Sequence, residues 1–131
     1  MNQAKNPSNV RRYLSYVLQT LLGLMFLLGA ATNLMGTEES VATGIEMGYP
    51  EGSLAYLGVV LGISALLYLI PKTNILGALL LTAWLGGAVA THIIHKDPVE
   101  NILAPVLFGV LIWGILLLRD GKLLQLLPLR R

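Results

Sequence analysis

The sequence predicts an all-α membrane protein: an antiparallel four-helix transmembrane bundle with a short interfacial helix in the first outer loop. Three observations carry that expectation. Of 131 residues, 55% are hydrophobic and only 12% charged, and mean hydropathy is +0.71, outside the range of an ordinary soluble domain. The charges leave four charge-free windows, 13–37, 52–71, 73–95 and 101–118, each long enough for a helix to cross a hydrocarbon core about 30 Å thick. The basic residues also alternate between loops. Lys5, Arg11, Arg12, Lys72, Arg119, Lys122, Arg130 and Arg131 fall on one side of this layout, while Lys96 alone falls on the other, among Glu38, Glu39, Glu46, Glu51, Asp97 and Glu100. That bias orients the chain with both termini cytoplasmic and two loops outside. A single domain is expected, with spans at 13–36, 54–70, 74–94 and 99–118 and cytoplasmic tails at 1–12 and 119–131.

Span one has Tyr13, Tyr16 and Gln19 near its inner interface and Thr32 and Asn33 near its outer one. Its apolar stretch exceeds the roughly 7 to 15 residues of a signal-peptide core, so it is expected to be retained. In the loop that follows, Thr37 can cap a helix, and Glu38 and Glu39 suit its N-terminus. Val41, Ala42 and Ile45 share one face against Thr43 and Glu46, and Gly48 and Pro50 stop it. Span two carries Gly58 and Gly62 in G-x-x-x-G spacing and ends at Pro71. Span three carries Gly77, Gly86, Gly87 and Ala90, small residues that allow close helix approach. Asp97, Pro98 and Glu100 read as a cap, a first-turn proline and an acidic third position for span four. Pro105 inside that helix should kink its outer end and free the carbonyl of Asn101. The tail 119–131 alternates basic residues with leucines, a surface segment drawn to anionic headgroups.

The calculated pI near 9.1 does not point to nucleic acid here, because the basic residues follow the loops. Absence of cysteine excludes a thiol relay, an iron-sulfur cluster and structural disulfides. His92 and His95, three apart on one helix, would need further ligands to form a metal site, with only Asp97, Glu100, Glu38 and Glu39 nearby, so no metal is expected. Their shared helix face also argues against a bis-histidine haem, and His95 is expected to be solvated at the interface. No carboxylate lies within a span, which disfavours a coupled transporter. The lack of a nucleophile-base pair, a phosphate loop or a cofactor motif disfavours a self-sufficient enzyme.

Thr32, Asn33, Tyr56, Thr91, His92 and Asn101 should lie level in the outer layer of the bundle. Polar groups at that depth face a partner or a cavity, so the layer either cross-links helices or lines a pocket. The pocket reading places walls at Leu28, Trp84 and Phe108 and a mouth at Asn33, Tyr56, His92 and Asn101. His92 would there hydrogen-bond a ligand carbonyl or hydroxyl. Tyr68 and Trp113 are expected to fill space in the inner half.

The run YLGVVLGISALLYLIPKTNILGALLLTAWLGGAVATHIIHKDP from Tyr56 to Pro98, and WGILLLRDGKLLQLLPLR from Trp113, resembles the DoxX-like family of small four-span bacterial membrane proteins; the GYP before span two fits as well. The resemblance implies a helical bundle in the bacterial inner membrane. Its family name implies a redox accessory subunit that binds quinone or supports an oxidoreductase partner. The alternatives are a non-catalytic binder or carrier of a small apolar ligand or lipid, and a purely structural role. Relatives often carry a Glu in span two near the position of Leu61; its absence here departs from any carboxylate-dependent chemistry. Gly58 and Gly62 leave a face on which a homodimer could form.

Overall fold

The computed structural model describes residues 8–126. Among them the chain forms helices alone: α1 (Asn9–Met35), α2 (Glu38–Glu46), α3 (Ser53–Leu69), α4 (Asn74–Ile94), α5 (Val99–Leu117) and α6 (Leu123–Leu126). Each charge-free window contains most of one long helix. α1 begins four residues before the expected span because the Ser8 side chain accepts from the Arg11 N–H at 3.4 Å, capping the first turn. α1, α4 and α5 are long and apolar enough to cross a membrane, whereas the 17 residues of α3 rise only about 25 Å. Lys5, Arg130 and Arg131 of the expected tails lie outside the described residues.

α1 lies against α3 and α5, α3 against α4, and α4 against α5. Leu22, Phe26 and Ala30 of α1, Leu61, Ala65 and Tyr68 of α3, Ala78, Leu81 and Leu85 of α4, and Ile112, Ile115 and Leu116 of α5 meet in one apolar core. The same helices turn Leu21, Ile63, Leu79 and Leu107 outward. Helices apolar on every side are poorly matched to water and well matched to lipid.

Glycine sets how closely these helices approach. A Cβ on Gly58 would stand 3.0 Å from the Ala30 carbonyl oxygen and 3.1 Å from the Asn33 Cβ, and one on Gly62 would stand 3.5 Å from the Ala30 Cβ. The G-x-x-x-G face is thus spent on α1 within the chain, which corrects the expectation that it is left open for a second copy. A Cβ on Gly77 would fall on the Tyr68 backbone, so α3 and α4 touch main chain to main chain. Gly86 and Gly87, expected to pack in the same way, have no atom within 4 Å of the equivalent position.

Polar side chains tie the end of the molecule opposite α2. The Gln19 amide donates to the Tyr68 carbonyl, the Tyr68 hydroxyl donates to the Ile112 carbonyl at 3.2 Å, and the Ser15 hydroxyl donates to the Ile115 carbonyl at 2.5 Å. Arg119 donates to Ser15 Oγ at 2.9 Å and lies 4.3 Å over the Tyr16 ring. Arg119, expected in a surface segment, therefore folds back onto α1 because a hydroxyl acceptor and an aromatic face await it there.

Candidate ligand cavity

At the other end, α1 closes on Gly36 in the left-handed region at φ 59°, and Thr37 starts α2 by accepting from the Ser40 N–H at 3.3 Å. The Ser40 hydroxyl lies 3.1 Å from the Thr37 carbonyl and 3.3 Å from the Thr32 carbonyl, sharing its one proton between the cap and the last turn of α1. The face that α2 buries differs from the one its hydrophobicity predicts. Gly44 is buried against Leu54, with Ser40 and Val41 half-buried, while Ala42 and Ile45 are exposed. Close approach to α3 outweighs apolar periodicity here, since a Cβ at Gly44 would stand 2.9 Å from the end of the Leu54 side chain.

α2 ends in a Schellman motif: the Gly48 N–H donates to the Ile45 carbonyl and the Tyr49 N–H to the Gly44 carbonyl, both at 2.9 Å. The turn directs Tyr49 to α4, where its hydroxyl is hydrogen-bonded to Thr91. Thr91 gives its own proton to the Gly87 carbonyl at 3.0 Å, so Tyr49 is the donor.

Between α1, α2, α3 and α4 is a half-open cavity of about 600 Å³, a volume suited to a small organic molecule. Leu54, Leu57, Ala83 and Ala88 give it apolar lining, and Glu39, Ser40, Thr43, Tyr49 and Thr91 give it polar lining toward α2 and the end of α4. Gly87 widens it, having nothing within 4 Å of where a Cβ would be. Trp84 lines the wall, and among the described residues its buried indole Nε1–H has no hydrogen-bond partner. A buried donor left unpaired costs roughly 1 to 3 kcal/mol.

His92 also lines the cavity, and its Nδ1 lies 2.5 Å from Asp97 Oδ2. The other oxygen of that carboxylate, Oδ1, lies 2.7 Å from His95 Nδ1. Asp97 had been expected to cap α5. Instead Pro98 occupies the cap position with no side-chain hydrogen bond, and Asp97 turns back to the two imidazoles. His95, expected to be merely solvated, is thereby held. The hydrogen bonds from His92 and then His95 hold the Asp97 carboxyl below its usual value, and the hydrogen bond to Asp97 raises His95. Among the described residues no group of three or more His, Cys, Asp or Glu is disposed to hold a metal ion.

Of the five residues singled out from sequence, Asn33, Trp84 and His92 share this cavity. Tyr56 does not: it is 77% exposed on the outer side of α3. Asn101 is exposed on the first turn of α5, a helix that contributes nothing to the lining. Of the expected walls, Leu28 is 69% exposed and Phe108 packs edge-on against Phe26 at 6.1 Å instead. Sequence reasoning missed the contribution of α2 and of Tyr49. The GYP turn was visible, but its aim toward Thr91 depends on the Schellman motif.

These features define a multi-pass helical membrane protein with a polar-mouthed cavity beside its first interhelical loop. Compared with known families, residues 17–115 match the DoxX-like family. The chain belongs to that family, and the match begins in α1, well before the motif-rich run at Tyr56. Curated proteins and solved structures gave no match.

Proposed function

We propose that this protein binds a small, largely apolar molecule with a polar head in the cavity beneath α2, as a non-catalytic binder or carrier within the membrane. The observation that carries this reading is the cavity itself, lined by apolar side chains of α3 and α4 on one part and by polar ones of α2, the following turn and the end of α4 on another. In the same reading the four apolar helices span the bilayer in alternating direction, with both termini cytoplasmic and α2 outside, as the distribution of basic residues supports. The quinone-linked redox role implied by the family resemblance uses the same cavity, with quinone as ligand and an oxidoreductase as partner.

Mass spectrometry of what co-purifies with the protein in mild detergent tests the proposal. A bound amphipathic molecule is expected, retained less in His92→Ala and in Asn33→Leu. Unchanged retention in both variants, with the helices intact, would mean that these residues only tie helices together. A quinone in the extract together with a co-purifying oxidoreductase would favour the redox role over the carrier role.

A further inference from the structure

We infer that the polar head bound in this cavity is a hydroxyl donor, received by Nε2 of His92, and that an acceptor-only head such as a carbonyl is disfavoured. The inference rests on the cavity being a ligand site and adds the chemistry of what enters it.

The carboxylate of Asp97 is 13% exposed and offers oxygens alone, one to each histidine at 2.5 and 2.7 Å. An ionised carboxylate can only accept, so each Nδ1 must carry the hydrogen that bridges to it. In neutral His92 that leaves Nε2 with a lone pair and no hydrogen, just as a carboxylate bonded to one ring nitrogen of a metal-ligating histidine fixes its tautomer. Nε2 is the remaining polar atom of a ring that lines the cavity, and among the described residues it has no partner. A ligand carbonyl there would set lone pair against lone pair, whereas a hydroxyl would donate along it.

Trp84, eight residues before His92 on α4 and about 12 Å along the helix axis, keeps its Nε1–H buried, so the acceptor at His92 is what selects the head group. Phenolic or alcoholic ligands are favoured over their oxidised, carbonyl counterparts.

A matched pair of probes separates the alternatives: 4-nonylphenol, and 4-nonylanisole, in which a methyl group replaces the phenolic hydrogen. Binding of each to the full chain in lipid nanodiscs is measured by titration calorimetry at about pH 8, where imidazole is ordinarily neutral. The phenol should bind about tenfold more tightly, the equivalent of one hydrogen bond. His92→Ala should abolish the preference. Asp97→Asn should reduce it to about threefold or less, because a carboxamide accepts or donates and no longer fixes the tautomer. Circular dichroism and thermal unfolding of both variants in the same nanodiscs should match the parent, which reports an intact fold. Nitrogen-15 spectra of labelled histidine should show Nε2 of His92 unprotonated, converting to a mixture in Asp97→Asn. Equal affinity for the two probes, or a preference that survives both substitutions, overturns the inference while leaving the cavity a binding site. Failure of both probes to bind overturns both readings.

Discussion

Asp97 holds three backbone and side-chain relationships at once. Its N–H donates to the His92 carbonyl at 3.0 Å, while the Lys96 N–H donates to the Ile93 carbonyl at 3.1 Å with Lys96 at φ 61°. That is a Schellman close built on lysine where glycine is usual. The two imidazoles brace it through the Asp97 side chain, which compensates for the left-handed backbone of a residue with a Cβ. This bracing should depend on pH. Asp97 is lowered from its ordinary 3.8, so its contribution is present above that value and lost as pH falls through the lower folded one. His95 is raised from 6.5, so its contribution is full below 6.5 and lost as pH rises through the higher folded value. Amide exchange at Lys96 and Asp97, corrected for its intrinsic pH dependence, should therefore show greatest protection between roughly pH 4 and 6.5 and decline on either side. Protection that is flat across this range would show that the side chains do not brace the turn.

At the scale of elements, four small residues on one helix serve different ends. Gly77 brings α4 onto the backbone of α3, and neither main chain can yield without displacing Thr73 and the short turn that joins them. Gly77→Ala should cost about 1 to 3 kcal/mol or more. Gly86→Ala, entering open space on α4, should lie within about 0.5 kcal/mol of the parent or gain from better helix propensity. Unfolding in mixed micelles compares the two; similar losses in both would refute the packing described for Gly77. α2 shows the same dependence on neighbours, because its buried face is chosen by Gly44 fitting beside Leu54 rather than by Ala42 and Ile45.

For the whole molecule, the expected topology separates the two sets of loops. Reporter fusions at Lys72, between α3 and α4, and at Glu46, at the end of α2, should read opposite sides of the membrane. The same side for both would sink the alternating arrangement. Much of the architecture was legible without coordinates: every long helix, the capped helix after Thr37, and a polar layer holding Asn33 and His92. Half of the proposed mouth was not, because levelling residues along helix axes gives their depth and leaves their rotation open. Tyr56 and Asn101, expected level with His92, are exposed instead of lining the cavity.

The number and apolar character of the long helices, and their limits to within a few residues, were determined by the sequence alone, since they follow from local quantities: runs without charge, capping side chains, and prolines and glycines at helix ends. Only the tertiary structure decided which faces those helices present. In lipid no aqueous face directs a helix apolar on all sides, so its rotation is settled by close packing against its neighbours. That packing spent Gly58 and Gly62 inside the chain, left Gly87 open to a cavity, drew α2 over it in place of α5, and turned Asp97 from a helix cap into the carboxylate that orients His92.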